Sequence, residues 1–204
     1  MYGPILIFLS FMIGSIPTGY ILVKTVRKHD IRESGSGNIG FTNVLRNEGI
    51  VLGTIVLVVD VAKAFAAPFF FSSITSNPPL YRLLMGIAVI LGNIFTPFLR
   101  FKGGKGVASG LGVALAVNPP AALIALCIFG IVVKITRYIS LGSLSAAGGF
   151  ALSSVILYAV SSYGVYSLIF GLLIFFVVTV RHISNIKRLL QGRENKIGKE
   201  KKSG

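Results

Sequence analysis

The sequence has few charged residues, and very few of them are acidic. Asp, Glu, Lys and Arg make up 13% of the 204 residues, whereas soluble domains contain about 25%. Hydrophobic residues make up 53% and form long runs, which excludes a soluble globular domain and indicates an integral membrane protein. Only 6 acidic residues oppose 20 basic ones. Because the basic residues lie between apolar runs, the positive-inside rule explains them better than nucleic-acid binding does. We expect no nucleic-acid partner.

Cysteine and histidine are almost absent. The one cysteine, Cys127, lies in an apolar run, so an intrachain disulfide is impossible and a cysteine-based metal site is not expected. His29 and His182 are the two histidines, which leaves little material for a Ser-His-Asp triad. The GGKG sequence near residue 104 lacks the GxxxxGK[ST] frame of a nucleotide-binding loop. We therefore expect neither a metal ion nor another cofactor.

Apolar runs predict membrane-spanning helices, because about 20 apolar residues are needed to cross the hydrocarbon core. Five runs are clear, and they are Gly3–Val26, Ile50–Phe71, Leu80–Leu99, Ile139–Val160 and Tyr163–His182. The first lacks a basic n-region, so we interpret it as a retained span rather than a signal peptide. The stretch from Gly106 to Lys134 is ambiguous, because Asn118-Pro119-Pro120 interrupts it. It forms either one long span or a short span followed by a full one.

The distribution of basic residues favours two spans in this stretch. Basic residues cluster at Lys24–Arg46, Arg100–Lys105, Lys134–Arg137 and from Arg181 onward, whereas Met1–Pro4, Ser72–Pro79 and Ser161–Ser162 hold none. Two crossings place all four clusters on one side, leaving Lys63 and Arg82 as exceptions. The sequence thus predicts an all-α integral membrane protein.

We expect a single domain over residues 1–204, a seven-helix transmembrane bundle with the N-terminus outside and the C-terminus in the cytoplasm. Residues 187–204 form a polar, basic cytoplasmic tail that we expect to be mobile. The fourth span, Val107–Val117, is too short, since eleven residues rise about 16 Å. Shielded by its neighbours, it can begin below the membrane surface and direct its positive N-terminal end at a bound anion.

Three polar segments on the predicted cytoplasmic side contain the candidate site residues. The first, Glu33–Arg46, combines glycines with hydroxyl and amide side chains and an arginine that can hold a phosphate bidentately. Its candidates are Ser36, Gly37, Asn38, Gly40, Thr42, Asn43 and Arg46. A polar loop of turn residues is the structural alternative.

The second segment, Phe101–Val107, offers Gly103, Gly104 and Lys105. Glycines allow backbone N–H groups to approach a phosphate, and lysine supplies positive charge. The third, from Arg181 to Leu190, offers His182 and Asn185, which are three residues apart and therefore share one helical face. His182 is a candidate for donating a hydrogen bond to phosphate or for acid/base catalysis. The structural alternatives are a flexible basic loop for the second segment and an interfacial histidine for His182.

Four further polar residues lie within or beside apolar runs. Asp60 and Lys63 lie three apart in the second span. Ionisable groups in a membrane are costly unless paired, so a structural ion pair is expected, with substrate contact as the alternative. Ser140 and Ser143 begin the Ile139–Val160 span. Ser140 is expected to cap the helix, and Ser143 could add a hydroxyl to the anion site.

The three segments, read as GSGNIGFTNVLR, FKGGKGVASG and RHISNIKRLLQGRENK, together resemble the signature motifs of the bacterial acyl-phosphate:glycerol-3-phosphate acyltransferases. The resemblance extends over essentially the whole chain. It implies transfer of a fatty acyl group from acyl phosphate to the sn-1 hydroxyl of glycerol 3-phosphate, giving lysophosphatidic acid for phospholipid synthesis. This family lacks the His-xxxx-Asp motif of the commoner acyltransferases, and the sequence lacks it too. One departure is Asn93, which follows Gly92 where the family usually has histidine; either Asn93 replaces its hydrogen bond, or that histidine is dispensable.

The resemblance implies a site in the bacterial cytoplasmic membrane, facing the cytoplasm, whose partners are acyl phosphate, glycerol 3-phosphate and membrane lipid. We expect a monomer, direct attack without an acyl-enzyme, and an acyl chain in a groove open to lipid. Ser36, Asn38 and loop amides would stabilise the oxyanion, while Arg46 and Lys105 hold phosphate. The base is either His182 or a substrate phosphate oxygen. A transporter of a phosphorylated solute is the alternative function, but the outer side offers few polar residues for a second gate.

Overall fold

The computed structural model describes residues 2–160 and 163–197. These residues are helical, with no β-strand in the described ranges. Two short 3₁₀ helices, Ile31–Glu33 and Pro97–Leu99, accompany the α-helices, which are α1 (Gly3–Ser15), α2 (Thr18–Arg27), α3 (Phe41–Glu48), α4 (Ile50–Ser72), α5 (Pro78–Ile94), α6 (Val107–Val117), α7 (Pro119–Thr136), α8 (Ile139–Val160), α9 (Val165–Arg181) and α10 (Ile183–Leu190). The all-α prediction is confirmed over the described ranges. The predicted break at Ser161–Ser162 and the tail beyond Ile197 lie outside them.

Five apolar helical segments are long enough to cross a membrane. They are Gly3–Arg27, Ile50–Ser72, Pro78–Leu99, Pro119–Thr136 and Ile139–Val160. α9 and α10 together make a sixth candidate, bent by 62°, and α6 is a shorter apolar helix. These segments overlap the seven predicted ones. Many large side chains on their outer faces are apolar and exposed, among them Phe8, Leu123, Leu152 and Phe176, as expected for surfaces in contact with lipid.

The first predicted span is a broken helix rather than a continuous one. α1 ends at Ser15 and α2 begins at Thr18, because Pro17 has no N–H to continue the hydrogen-bond ladder. Polar side chains of α4 compensate at the break. Lys63 Nζ donates to the Ile16 carbonyl at 2.6 Å and pairs with Asp60 at 2.8 Å. The predicted Asp60–Lys63 ion pair is therefore confirmed, and it holds the break between α1 and α2.

The predicted turn at Asn118-Pro119-Pro120 is confirmed, since α6 ends at Val117 and α7 begins at Pro119. Asn118 is fully buried; its amide oxygen accepts from the Ala121 N–H at 3.2 Å, and its Nδ2 donates to Ser167 Oγ at 2.7 Å. Arg82, an exception to the basic pattern, donates to the Ala116 carbonyl at 3.5 Å. The free carbonyls at the end of α6 are thus partly satisfied inside the bundle.

Two apolar clusters hold the bundle and its polar segments in place. The larger is formed by side chains of α4 to α9. The smaller joins α2 and α4 to the Glu33–Arg46 segment through buried residues, namely Val23, Ile31, Ile39, Val44, Leu52, Val56 and Leu99. Ile39 and Val44 anchor this polar segment by its apolar positions, and Ile31 anchors the 3₁₀ helix that leads into it. The glycines and polar side chains of the segment are thus presented at one end of the bundle.

Candidate active site

A cavity of about 400 Å³ lies at the end of the bundle where the three polar segments meet. The structure brings most of the predicted site residues to its wall. These are Ser36, Asn38, Gly40, Thr42, Asn43, Arg46, Gly104, Lys105, Ser143, His182 and Asn185. Gly37 and Gly103 are adjacent in sequence to lining residues but do not line the cavity themselves. Segments far apart in the chain therefore build one site.

The first segment is held together by its own asparagines. Asn43 is 3% exposed, and its Oδ1 accepts the Ser36 N–H at 2.9 Å while its Nδ2 donates to the carbonyls of Ile31 and Ser34. Asn38 Oδ1 accepts the Gly40 N–H at 2.9 Å. Both donors of the Asn43 amide are thus used within the loop, which Asn43 supports, and its contact with substrate stays a prediction.

The short helix α3 begins at the cavity, a feature that the sequence did not predict. Gly40 precedes its first turn, and Gly40, Phe41 and Thr42 line the cavity, so the unpaired N–H groups of that turn face the space. Arg46 follows one turn later. Its guanidinium donates to the Asn195 carbonyl at 2.8 Å, its Nε is buried without a partner in the described structure, and burial lowers its pKa.

The backbone N–H groups of two glycines in the lysine loop are paired within the protein. The Gly103 N–H donates to the Ile94 carbonyl at 3.0 Å, and the Gly104 N–H donates to the Asn93 carbonyl at 2.9 Å. These bonds close the carbonyl end of α5. Both N–H groups are therefore already paired within the protein, and a contact of Gly103 and Gly104 with substrate stays a prediction. A Cβ on Gly103 would lie 2.1 Å from the Asn93 carbonyl oxygen, so glycine is needed there for close approach.

The amides that do face the cavity come just after these glycines. Gly106 has a φ of 79°, and α6 begins at the next residue. Gly106, Val107 and Ala108 line the cavity, and the N–H groups of a first helical turn have no partner within the helix. The predicted anion-binding helix end at α6 is thus oriented towards the cavity, with a second such end at α3.

Lys105 extends from this loop to the third segment. Its Nζ donates to Asn185 Oδ1. The pKa of Lys105 is lowered to about 8, chiefly by burial. The neighbouring guanidinium groups of Arg188, Arg181 and Arg46 contribute to this shift, and Glu194 opposes it. Lys105 therefore remains mostly protonated at neutral pH and carries its charge in a largely buried setting, where a phosphate would be a favourable partner.

His182 lies at the bend between α9 and α10 and is 3% exposed. Its Nδ1 lies 2.8 Å from the Val178 carbonyl oxygen; since a carbonyl only accepts, we assign the ring proton to Nδ1 and a lone pair to Nε2. Burial lowers the pKa of His182 to about 4, and the nearby charge of Lys105 contributes. The imidazole is therefore neutral at physiological pH.

The segment after α10, part of the tail expected to be mobile, instead packs over the site as far as Ile197. Glu194, buried, accepts from Asn185 Nδ2 at 2.9 Å and from Arg188 Nε at 2.8 Å. The Ile197 N–H donates to the Arg137 carbonyl at 2.9 Å. Sequence reasoning missed Glu194, although a lone acidic residue within a strongly basic segment was the available signal. Residues 198–204 lie outside the described ranges.

The two serines of α8 also differ from the prediction. α8 begins at Ile139, so Ser140 lies in the first turn rather than at the N-cap. Its hydroxyl is buried and has no hydrogen-bond partner among the described residues. The Ser143 hydroxyl donates to the Ile139 carbonyl at 2.9 Å. Both serines line the cavity, and Ser140 rather than Ser143 has a hydroxyl donor still free for a ligand.

The cavity combines a cationic end with an apolar arm. Around the polar end lie Arg46, Lys105, Arg181 and Arg188, with Glu194 as their neighbouring carboxylate. Leading away from it are apolar side chains of α6, α7, α8 and α9, including Leu111, Ala125, Phe150 and Ile174. Cations and free helix N-termini favour phosphate, whereas an apolar arm favours hydrocarbon. The arrangement therefore suits a phosphorylated amphiphile.

Comparison with known proteins agrees with this chemistry. The model of the glycerol-3-phosphate acyltransferase family matches residues 4–192. The chain is 43% identical to the glycerol-3-phosphate acyltransferase of Endomicrobium trichonymphae over 94% of both chains, and 40% identical to that of Thermoanaerobacter pseudethanolicus over 98% of both.

Solved structures give the same result. The crystal structure of PlsY (YgiH), an integral membrane glycerol 3-phosphate acyltransferase, in its glycerol 3-phosphate form superposes with a TM-score of 0.88 at 34% identity, covering 97% of this chain and 96% of that one. Its lysophosphatidic acid form gives a TM-score of 0.86 with the same identity and coverage. Three polar motifs meeting at one cavity, a match along nearly the whole chain and a shared fold agree: the chain belongs to the glycerol-3-phosphate acyltransferase family.

Proposed function

We propose that this glycerol-3-phosphate acyltransferase takes its acyl group from acyl phosphate. The sn-1 hydroxyl oxygen of glycerol 3-phosphate attacks the acyl carbonyl carbon, the bond from that carbon to the phosphate oxygen breaks, and the products are lysophosphatidic acid and inorganic phosphate. Acyl phosphate is an activated mixed anhydride, so a covalent acyl-enzyme is not required. The observation that carries this proposal is the joining of a cationic phosphate end and an apolar arm in one cavity, because acyl phosphate needs both.

The two substrate phosphates lie at the cationic end, near Arg46 and Lys105. The guanidinium of Arg46 offers paired donors and Lys105 a compact charge, and the first turns of α3 and α6 add backbone N–H groups. Asn185 orients Lys105 through its amide oxygen. The developing oxyanion is stabilised by donors of the Ser36–Asn38 loop.

The proton of the sn-1 hydroxyl passes to a substrate phosphate oxygen rather than to His182. A general base works best with a pKa near the operating pH, and burial and Lys105 hold the pKa of His182 near 4. With Nδ1 bound to the Val178 carbonyl, His182 is suited to contact substrate through Nε2. This assignment chooses between the two bases that the sequence left open.

We place the site at the cytoplasmic face of a bacterial inner membrane, in a monomer that crosses the membrane seven times. The seven predicted segments each correspond to a helix or a broken helix. Counting α6 as a short crossing gives an odd number and puts the N-terminus outside, with the basic clusters inside. The positive-inside rule supports this orientation.

Incubation of the purified chain in lipid vesicles with palmitoyl phosphate and labelled glycerol 3-phosphate tests the proposal. We expect labelled lysophosphatidic acid and one equivalent of inorganic phosphate. Palmitoyl-CoA in place of palmitoyl phosphate is the control and should give no product. Equal turnover of palmitoyl-CoA would overturn the choice of acyl donor while leaving the enzyme class intact, and uptake of labelled glycerol 3-phosphate without product would support the transporter alternative.

A further inference from the structure

Side chains of α6, α7 and α8 line the apolar arm of the cavity. α6 contributes Leu111 and Ala114, α7 contributes Ala122 and Ala125, and α8 contributes Phe150. None of these side chains has a hydrogen-bonding group, and Ala122 and Ala125 are buried. Apolar side chains of this kind suit a hydrocarbon chain, because no polar atom of theirs competes for the space.

The lining of the cavity stops part-way along three helices. Beyond Ala114 on α6, Ala122 on α7 and Phe150 on α8, no further residue of these helices, going away from the charged end, lines the cavity. Phe150 lies ten residues after Ser140, which is at the polar end, so at 1.5 Å per residue the arm extends about 15 Å below it. Of these three last lining residues, Phe150 has the largest side chain.

The ring of Phe150 is held in a fixed position. It is 3% exposed and packs edge to face against Phe170, with ring centroids 5.7 Å apart and an interplanar angle of 80°. Phe170 is itself fully buried. Aromatic pairs in this geometry are stabilising beyond the area they bury, so Phe150 presents a rigid surface rather than a side chain that moves aside.

We propose that Phe150 is the floor of the acyl-chain arm and sets the chain length that the enzyme prefers, an inference that rests on the acyl transfer proposed above. The methyl end of a chain of matching length contacts the ring. The arm opens sideways near Leu126, which is 45% exposed, so a longer chain bends out towards lipid and loses those contacts. Phe150 therefore grades chain length rather than excluding long chains outright.

The test compares variants with acyl phosphates of graded length, from lauroyl and myristoyl to palmitoyl and stearoyl phosphate, at constant glycerol 3-phosphate. Phe150→Ala removes the floor and should raise kcat/KM for stearoyl relative to that for myristoyl phosphate by about tenfold, since a single methylene in an apolar pocket is already worth that much. Ala122→Leu fills the arm and should shift the preference towards lauroyl phosphate by a similar factor. The KM for glycerol 3-phosphate should stay unchanged in both.

Phe176→Ala is the matched control, because Phe176 lies on the outer face of α9 and is 66% exposed. It should leave the chain-length profile as in the wild type. If Phe150→Ala fails to fold, Phe150→Leu and Ala122→Leu carry the test. Active variants with an unchanged profile would overturn the role of Phe150 while the acyl transfer stands. Failure of the wild-type protein with every acyl phosphate would instead refute the proposed function.

Discussion

At the scale of single residues, the two lysines of the glycine-rich loop have different environments. Lys105 is partly buried and bonded to Asn185, whereas Lys102 is exposed. We therefore expect Lys105→Ala to lower kcat/KM for glycerol 3-phosphate by about 100-fold or more, in the range found when a buried electrostatic donor is lost. Lys102→Ala is the matched control and should stay within about twofold. The opposite order would show that the phosphate is held elsewhere.

The proposed proton route gives a prediction at His182. Because burial and Lys105 lower the pKa of this imidazole from 6.5 to about 4, His182 is neutral from about pH 5 upward. A pH profile of kcat/KM should therefore show no fall in activity centred near pH 6.5. His182→Gln keeps a polar group without an imidazole, and it should retain measurable turnover with the same profile above about pH 5.

Two results would contradict that route. One is an acid limb centred near 6.5 that disappears in His182→Gln. The other is complete loss of turnover in a variant that still binds glycerol 3-phosphate with unchanged affinity. Either would make His182 the base, with a pKa raised when the anionic substrates bind.

At the scale of elements, the end of α5 and the lysine loop form one unit. The amides of Gly103 and Gly104 donate to carbonyls of Ile94 and Asn93. A Cβ on Gly103 meets backbone, 2.1 Å from the Asn93 carbonyl oxygen, whereas on Gly104 it meets the side-chain oxygen of Asn93 at 2.8 Å. Backbone cannot give way as a side chain can, so the two glycines should differ in their tolerance of substitution.

We expect Gly103→Ala to displace Lys105 and remove most activity, and Gly104→Ala to be milder. Combining Gly104→Ala with Asn93→Ala removes the obstructing amide and should recover activity relative to Gly104→Ala alone. Turnover and thermal stability of the purified variants measure both effects. Equal loss in Gly103→Ala and Gly104→Ala, without recovery in the double variant, would show that both glycines face the substrate instead.

The same elements show which parts of the fold the sequence could predict. The lengths of the apolar runs predicted α4 and α8 nearly to the residue, since hydrocarbon thickness dictates helix length. The break between α1 and α2 was not predicted, although Pro17 was a signal for it. The break also depends on a distant contact, in which Lys63 donates to the Ile16 carbonyl. Helix α3 was not predicted, because eight residues show too little hydrophobic periodicity to be distinguished from a polar loop.

The site was predicted as a set of residues but not as a set of roles. The cavity contains Arg46, Lys105, His182 and Asn185, as expected. Sequence spacing does not reveal hydrogen-bond partners. It could not show that the N–H groups of Gly103 and Gly104 and the side-chain NH₂ group of Asn43 are paired within the protein. A residue type suggests a capacity for hydrogen bonding, and only the fold decides whether protein or ligand uses it.

At the scale of the whole molecule, the first turn of α6 and the cationic side chains lie together at the cavity. The short helix α6 ends inside the bundle, and the carbonyls of its last turn are partly satisfied by Arg82. Its first turn therefore opens at the cavity between neighbouring helices, beside Arg46 and Lys105. A phosphate can then enter from water while its acyl chain lies in the arm. The orientation of the bundle decides which compartment supplies that phosphate.

Cysteine labelling tests that orientation. Cys127 is the one native cysteine, so Cys127→Ala gives a background into which Ser73→Cys and Lys102→Cys are introduced. Both new positions are exposed, and they lie at opposite ends of α5 and its 3₁₀ extension. With the N-terminus outside, a membrane-impermeant maleimide applied to intact cells should label Ser73→Cys, and should label Lys102→Cys only after permeabilisation. Because Lys102 lies in the same loop as Lys105, the reverse pattern would place the site outside and contradict a cytoplasmic supply of substrate.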